Sequence, residues 1–423
     1  MNAEALLQEV SVARNSAGIK DLQIYLHIPF CASKCHFCDW VDDIPVTQLK
    51  SGPGVRRRYV ESLCRQIEFW GPHLTAIGYR PSSIYWGGGT PTRLDVEDFR
   101  MVHRSLISAF DFSSLVQHTL ESTPSEITEK KLECLESIGV NRLSYGVQSF
   151  DPDQLRRAGR AHSAEQAVEA VKLTRSAGIT DINIDLISGF PDEDLATFKR
   201  TLDIAAGLEP THISVYSYRA TPRTMMAVQV NRGVRQALQL EAMIESYELA
   251  QDVLTRAGYT EYCFNYFAKG EDLKFSAGLY GYQLDGDIAG FGAGATSTIG
   301  GMSLSNQDTH LHRYIDSPLE FDSVKKFALE KPEMFFPLLG GALMTQEGLS
   351  FAKFEYVTGV PFAKAWAQPE IKAWFQYVEN CGARLKFEAD RIYSADREIH
   401  RVYLKNHTYT LNPALLQQLV SVS

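Results

Sequence analysis

Three cysteines near the start of the chain have the spacing that most directly indicates chemistry. Cys31, Cys35 and Cys38 follow the pattern C-x-x-x-C-x-x-C. Three thiolates on one short loop can bind three irons of a [4Fe–4S] cluster and leave the fourth iron without a protein ligand. A structural zinc site is the alternative, but it usually takes further ligands from a second pair of Cys or His residues. His36 lies inside the loop and the sequence contains no second such pair, so the spacing favours the cluster.

The elements that must position this loop follow a regular pattern. Between residues 21 and 218, six short runs rich in Ile, Val and Tyr alternate with amphipathic helical patterns, which is typical of parallel strands joined by helices. Six units are too few for a closed eight-fold barrel, so we expect an α/β fold with a partial, TIM-like (β/α)6 barrel. Such barrels carry their chemistry at the C-terminal ends of the strands. The residues predicted at those ends are Cys31, Gly87, Glu121, Gln148 and Asp185.

The alternation stops after residue 221, and we predict four segments. These are an N-terminal extension (1–20), the barrel (21–235), an extension that covers the active site (236–317) and a small C-terminal domain of mixed, mainly helical structure (318–423). The glycine-rich stretch Gly290–Gly301 reads as a tight turn or bulge. A closing hairpin is predicted from Leu385–Phe387 to Tyr409–Leu411.

Composition argues against two classes of partner. The net charge is −9 and the densest basic run is only three residues, Arg56–Arg58, whereas binding to a phosphate backbone needs clustered Lys and Arg. No apolar stretch approaches the length of about 20 residues that a membrane-spanning helix requires, and residues 1–20 lack the apolar run of a secretion signal. We therefore expect no nucleic-acid partner, no membrane span and a cytoplasmic protein.

The cysteine motif and several later blocks resemble the HemN-like group of radical S-adenosylmethionine (SAM) proteins. The resemblance covers about residues 21–423 and is strongest over 21–220. Its blocks are Tyr25–Trp40, Gly87–Thr92, Glu121–Pro124, Asn141–Phe150 and Asn183–Pro191, with weaker similarity at Phe291–Ala295 and Gly348–Ser350.

The resemblance implies a [4Fe–4S] cluster on Cys31, Cys35 and Cys38, with SAM bound to the open iron and cleaved reductively to a 5′-deoxyadenosyl radical. Small glycines let the backbone approach a ligand closely, and an acidic residue suits ribose hydroxyls. The residues implied to bind SAM are Phe37, Gly87, Gly88, Gly89, Thr90, Glu121, Gln148, Arg160 and Asp185. Phe37 is expected to pack on the adenine, and Tyr25 is expected close to the iron.

Three members of this group compete as interpretations. Oxygen-independent coproporphyrinogen III decarboxylases carry a further cysteine two residues after the third cluster ligand, and Trp40 occupies that position here. HemW-type haem chaperones carry an Arg-His-Asn segment ahead of the Gly-Ala-Gly-Ala element, and the equivalent stretch here, 274–280, lacks the His and the Asn. Class C radical SAM methyltransferases share the general frame, so this third interpretation is preferred, partly by exclusion.

The methyltransferase interpretation carries its own expectations. It implies two SAM molecules bound together and methylation of an sp² carbon, commonly in a heteroaromatic ring. The substrate is then a small molecule or a modified peptide, and flavodoxin or ferredoxin is the expected electron donor. Tyr216 and Tyr218, which close the sixth predicted strand, join Tyr25 as candidate catalytic residues.

Overall fold

Six parallel strands pair in sequence order and form the frame of the molecule. The computed structural model describes residues 20–39, 53–270, 275, 279, 286–306, 311–326, 330–396 and 398–406. The strands are Lys20–Ile28 (β1), Tyr79–Gly88 (β2), Gln117–Ser122 (β3), Arg142–Gln148 (β4), Asp181–Ser188 (β5) and His212–Ser217 (β6). The helices that connect and follow them are Pro53–Ala76 (α1), Val96–Ala109 (α2), Glu129–Ser137 (α3), Pro152–Arg157 (α4), Ala164–Ser176 (α5), Leu195–Gly207 (α6) and Met225–Asn231 (α7).

Six further strands extend this sheet at both edges. After helix α8 (Leu240–Arg256) come the strands Thr260–Cys263 (β7), Tyr266–Ala268 (β8), Asp287–Phe291 (β9), Thr296–Ile299 (β10) and Met302–Asn306 (β11), then helix Leu311–Asp316 (α9) and strand Phe321–Lys326 (β12). The order across the sheet is β12-β11-β10-β9-β1-β2-β3-β4-β5-β6-β8-β7. Because β12 and β7 are the two ends of this order, the barrel is open. The predicted α/β fold with a partial barrel is confirmed.

One prediction within this sheet is only partly confirmed. The stretch Gly290–Gly301 was expected to be a tight turn or bulge, and it contains turns at 292–295 and 300–301, but also the end of β9 and all of β10. β9 is a seventh parallel strand, which pairs with β1 from Leu22 to Leu26. Glycine is tolerated there because backbones approach closely: a Cβ on Gly290 would lie 2.5 Å from the carbonyl oxygen of Thr296.

The central strands have an apolar face and a polar face. On β4, Leu143 and Tyr145 are fully buried in the main hydrophobic core, and the Tyr145 hydroxyl lies 2.6 Å from Thr174 Oγ1 of α5. Ser144, which lies between them, points to the opposite face of the sheet, where its Oγ donates to Asp185 on the neighbouring strand β5. This period of two places polar side chains inside the barrel and packs the apolar ones beneath the helices.

A second hydrophobic core lies in the C-terminal part of the chain and includes Phe335, Phe354 and Trp374. Its elements are Pro332–Leu343 (α10), Leu349–Ser350 (β13), Phe351–Thr358 (α11), Phe362–Trp366 (α12), Pro369–Asn380 (α13), Leu385–Phe387 (β14), Arg391–Ser394 (β15) and Glu398–Asn406 (α14). β13, β14 and β15 form a small separate sheet. The mixed, mainly helical character predicted for this region matches these elements, whereas the predicted domain boundaries stay predictions.

The predicted closing hairpin can be compared with the structure only at its first strand. β14 pairs with β15 in an antiparallel hairpin, from Leu385↔Ser394 to Phe387↔Ile392, and Tyr409–Leu411 lie outside the described residues. A hairpin closed by a few residues loses less chain entropy than one closed by about twenty. Of the predicted N-terminal extension, only Lys20 is described, as the first residue of β1. Within the described part of the chain, no helix is both long and apolar enough to cross a membrane.

We predict that Gly292→Ala destabilises the protein much more than Gly178→Ala. Both glycines have strongly positive φ, +104° and +91°, so either alanine should cost about 1–2 kcal/mol of backbone strain. A Cβ on Gly292 would also lie 2.5 Å from both His27 O and Tyr59 Oη, whereas nothing lies within 4 Å of one on Gly178. This overlap should add roughly 1–3 kcal/mol. Urea unfolding of both variants measures the difference, and equal losses would show that Gly292 is not tightly enclosed.

Candidate radical SAM site

The three cysteines lie on a loop that residues distant in sequence hold in place. This cysteine loop, residues 31–38, follows β1. The His36 amide donates to the Ala158 carbonyl (2.9 Å), and the Met226 amide at the start of α7 donates to the His36 carbonyl (2.8 Å). His36 Nδ1 lies 2.8 Å from the carbonyl oxygen of Arg157. The loop is thereby fixed between the segment after α4 and the first turn of α7.

Two of the thiols already have polar neighbours. Arg160 Nη1 donates to Cys35 Sγ (3.0 Å), and Thr90 Oγ1 lies 3.8 Å from Cys31 Sγ. Burial raises the pKa of the Cys31 thiol above its usual value. A metal offsets this penalty, since it binds thiolates and displaces their protons. All three cysteines are outside disulfide bonds and partly exposed.

The loop after β2 lies directly against the cysteine loop. The Gly89 amide donates to the Ile28 carbonyl (2.9 Å), and the Thr90 amide donates to the Phe30 carbonyl (2.7 Å). A Cβ on Gly89 would lie 2.7 Å from the Phe30 carbonyl oxygen, and Gly88 has a φ of +103° with its Cα facing the His27 ring. Only glycine fits this close approach of two backbones.

Glu121 stands at the end of β3, beside Gly87. A Cβ on Gly87 would lie 3.2 Å from Glu121 Oε2, and the Tyr85 hydroxyl donates to Glu121 Oε1. Burial raises the pKa of the Glu121 carboxyl to about 7, opposed by the hydrogen bond from Tyr85. Near neutral pH this group is therefore poised between its acid and its carboxylate forms.

Tyr25 lies next to this carboxyl on β1. Its ring stacks on Tyr85 with centroids 6.1 Å apart, and its hydroxyl lies 2.9 Å from His27 Nδ1. Burial raises the pKa of Tyr25 above its usual value and lowers that of His27 to about 4. Tyr25 is thus a protonated phenol that donates to a neutral imidazole. A base role does not suit it, although proximity to a bound ligand remains predicted.

Asp185 is held by a buried polar network on β4, β5 and β6. It accepts from Ser144 Oγ (3.0 Å) and from Asn183 Nδ2 (2.7 Å). Asn183 Oδ1 lies 2.6 Å from His212 Nδ1, and His212 Nε2 lies 2.9 Å from the Tyr262 hydroxyl. Burial raises the pKa of Asp185, and the Asn183 and Ser144 hydrogen bonds oppose the rise.

Gln148 and Arg160 complete the lining between the cysteine loop and Asp185. Gln148 closes β4 with a φ of +73°, a conformation that non-glycine residues adopt mainly where function or packing imposes it. Arg160 donates through Nη2 to the Gly146 carbonyl and through Nη1 to Cys35. Gly146 pairs in register with Asp185. Arg160 therefore connects the cysteine loop to the end of β4, in register with Asp185.

The structure separates the candidate tyrosines of the sixth strand. Tyr216 is 36% exposed, and its hydroxyl lies 3.5 Å from that of Tyr266. Tyr218 lies just beyond the end of β6, contrary to the prediction that it closes the strand, and its ring is 5.8 Å from that of Phe190. The Tyr218 amide forms the last hydrogen bond of the β5–β6 ladder, to the Ser188 carbonyl (2.8 Å), after which the chain leaves the sheet. Of these two tyrosines, only Tyr216 packs against Tyr266.

Phe37 packs on the same small apolar cluster as Tyr218. Its ring centroid lies 5.5 Å from that of Phe190, and Met226 and Ala158 complete the cluster. This packing anchors the middle of the cysteine loop. The expected contact of Phe37 with an adenine ring stays a prediction.

Arg142 is a site residue that sequence reasoning missed. It is 1% exposed, its Nε lies 3.6 Å from Asp181 Oδ2, and its guanidinium lies 4.4 Å from the ring centre of Phe275. None of its three nitrogens has a hydrogen-bond partner, and its charge lowers the pKa values of Glu121 and Asp185. The sequence did contain one indication of this role: Arg142 lies two residues before Ser144, so both positions share the face of β4 that points into the barrel.

The residues present fit an iron–sulfur cluster and a nucleoside ligand. The donor set is three soft thiols on one loop, which suits iron–sulfur ligation. Among the described residues, no three His, Cys, Asp or Glu side chains are grouped so that they could hold a metal ion. The glycines at the end of β2 let the backbone pack where any Cβ would overlap protein atoms, and the buried carboxyls of Glu121 and Asp185 interact electrostatically nearby.

Comparison with known proteins agrees with this geometry. The sequence profile of the radical SAM superfamily matches residues 25–205. The haem chaperone HemW of Bacillus subtilis is 31% identical over 301 residues, which cover 69% of this chain and 74% of the relative. The oxygen-independent coproporphyrinogen III oxidase of Salmonella typhimurium is 30% identical over 364 residues, covering 82% and 77%.

A solved structure shows the same fold. It is that of coproporphyrinogen III oxidase (HemN) from Escherichia coli, described as a radical SAM enzyme. It matches with a TM-score of 0.76 at 23% identity, over 96% of this chain and 92% of the other. The shared fold agrees with the sequence relatives and with the three-cysteine loop. The chain belongs to the HemN-like group of the radical SAM superfamily.

Proposed function

We propose that this chain is an enzyme that binds a [4Fe–4S] cluster through Cys31, Cys35 and Cys38 and directs a carbon-centred radical at a flat conjugated ring. When bound, the cluster and SAM supply a 5′-deoxyadenosyl radical. The observation that carries the proposal is the contact of Gly89 and Thr90 with Ile28, Phe30 and Cys31, where the cysteine loop begins, next to the buried carboxyl of Glu121.

The chain's own residues bind and orient the reactants. Glu121 and Asp185 are acceptors for the hydroxyl and amino groups of SAM, and the glycines at the end of β2 let the backbone approach its polar end closely. Arg160 donates both to the Cys35 sulfur and to the Gly146 carbonyl of β4. It thereby fixes the position of the cysteine loop relative to the strand ends proposed to bind SAM. Phe37 and Phe190 cover the loop with apolar rings, which limits the access of water to a reactive intermediate.

The finer proposal is methylation of an sp² carbon in a heteroaromatic ring, with a second SAM as methyl donor. Trp40 stands where coproporphyrinogen decarboxylases have a cysteine, which supports this reaction over decarboxylation. Tyr216 and Tyr266, which pack edge to face at 6.1 Å, offer aromatic surface for a flat small molecule or an azole of a modified peptide.

A tetrapyrrole-related function is the second candidate, and similarity to named relatives favours it. The relatives reported above are called a haem chaperone and a coproporphyrinogen III oxidase. Among the described histidines, His27, His118, His162, His212 and His400 are buried. His36 Nδ1 lies 2.8 Å from a backbone carbonyl oxygen, an arrangement that leaves Nε2 available as a metal ligand. His73, His103 and His312 are at least partly exposed. These four are the described histidines from which a haem ligand would come.

An isotope experiment distinguishes these functions. The anaerobic, cluster-reconstituted protein is incubated with dithionite and methyl-deuterated SAM, and the products are analysed by mass spectrometry. A heteroaromatic acceptor, an azole-containing peptide, is included, because S-adenosylhomocysteine leaves only after the methylene group has been transferred to an sp² carbon. We expect deuterium in 5′-deoxyadenosine together with S-adenosylhomocysteine. Cys35→Ser is the control and should abolish both products. Unlabelled 5′-deoxyadenosine without S-adenosylhomocysteine would contradict methyl transfer, and tight haem binding without SAM cleavage would support the chaperone instead.

We also predict that SAM affinity rises with pH around neutrality because of Glu121. Its carboxyl has a pKa of about 7 owing to burial, and only the ionised form accepts two hydroxyl hydrogen bonds, so protonation at lower pH weakens binding. Glu121→Gln should reduce affinity roughly 10- to 100-fold, as expected for hydrogen bonds to a charged group, and should abolish the pH dependence. Calorimetric titration with SAM between pH 6 and pH 8, about a unit either side of that pKa, measures both effects.

The control for this titration is Glu193→Gln. Burial also raises the pKa of Glu193 to about 7, but its carboxylate accepts from the Gly189 amide in the turn after β5 (2.7 Å). This variant should keep the pH dependence of SAM binding. A pH dependence that survives in Glu121→Gln but not in Glu193→Gln would assign it to the wrong carboxyl and contradict the proposed role.

A further inference from the structure

A positively charged run lies directly beside the cysteine loop. Between Glu209 and Glu241 the chain carries four arginines and no acidic residue, in a protein whose net charge is −9. The run includes α7, whose Met226 amide donates to the His36 carbonyl of the cysteine loop (2.8 Å). The basic run is therefore one hydrogen bond away from the proposed cluster ligands.

Two of these arginines are engaged within the protein, and two face outward. Arg235 pairs with Asp192 (3.3 Å), and Arg219 lies over an aromatic ring of α14 at 5.4 Å. Arg223 and Arg232 are exposed, and Arg232 forms no ion pair with any residue that the structure describes. The outward charges thus lie at the two ends of α7.

Exposed apolar side chains accompany these charges. Met225 is 54% exposed and Val234 is 69% exposed. Met225 and Arg232 are seven residues apart across α7, a spacing that places two positions on one helix face. We call Arg223, Met225, Arg232 and Val234 the arginine face. Charged residues around exposed apolar ones are the usual composition of a transient protein interface.

We propose that the arginine face docks a small acidic one-electron carrier protein of the flavodoxin or ferredoxin class. The inference rests on the proposed function, because reductive SAM cleavage needs an electron at the cluster. One electron passes from the reduced carrier to the oxidised cluster, and no proton or covalent bond is exchanged. Opposite charge steers such a carrier to this face, whereas the remaining, acidic surface of the protein repels it.

The test compares two double variants of the cluster-reconstituted protein. Arg223→Glu with Arg232→Glu reverses the charge of the arginine face. Lys172→Glu with Arg200→Glu makes the same change in net charge on α5 and α6, at exposed positions. Bleaching of the cluster absorbance by photoreduced flavodoxin is followed in a stopped-flow instrument at an ionic strength of about 10 mM, where the Debye length is about 30 Å.

We expect the face variant to lower the second-order rate of reduction at least 10-fold, within the range of electrostatic steering. The control pair should change it far less, and the difference should vanish in about 1 M salt. Reduction by dithionite should be equal in all three proteins, which shows that the cluster is intact.

Two outcomes would overturn the docking proposal: an unchanged flavodoxin rate in the face variant, or an equal loss in the control pair. The failure of the proposed function looks different. It would appear as no reducible cluster in the wild-type protein, or as no SAM cleavage when dithionite does reduce it. Because the rate measurement needs only the cluster, it judges the arginine face independently of the reaction that follows.

Discussion

The site depends on one constraint: ionisable side chains are buried inside the open barrel and must compensate one another. Glu121 and Asp185 point inward from β3 and β5, and burial raises the pKa of both carboxyls. Arg142, 1% exposed, is the neighbouring cation that opposes this rise. An isolated buried charge is very costly, and removal of one partner leaves the others uncompensated. The polar groups proposed to bind SAM therefore also stabilise one another.

The cysteine loop likewise depends on residues from other parts of the barrel. A loop of eight residues with three free thiols has little structure of its own, and its shape comes from hydrogen bonds to residues 157, 158 and 226 and from the contact of Phe37 with Phe190. These partners come from the segments after β4, β5 and β6, whereas the loop follows β1. The loop can therefore hold ligands correctly only when the barrel has folded around it. Coupling of this kind makes a cluster site sensitive to distant substitutions.

The sequence predicts the six barrel strands better than it predicts the edges of the sheet. These strands and the residues at their ends follow from a clear alternation of apolar strands and amphipathic helices. β9 could not be foreseen, because its glycines resemble a turn and its pairing with β1 joins residues about 260 positions apart in the sequence. Arg142 was hidden for a related reason, since its importance lies in burial and in neighbours from other strands. The separation of Tyr218 from Tyr216 likewise depends on where the β5–β6 ladder ends, at Ser217.

The cysteine loop, the loop after β2 and the carboxyls of Glu121 and Asp185 all lie within residues 25–205, which match the superfamily profile. The two family motifs that the sequence lacks fall at Trp40 and in the stretch 274–280. Phe275, from that stretch, packs against Tyr85 at 5.3 Å, and its ring centre lies 4.4 Å from the Arg142 guanidinium. Under the proposed function, the side chain at this position helps to decide which ring can enter, while the residues proposed to bind the cluster and SAM need not change. The proposed reaction on a heteroaromatic ring therefore requires no change in the fold that this chain shares with coproporphyrinogen III oxidase.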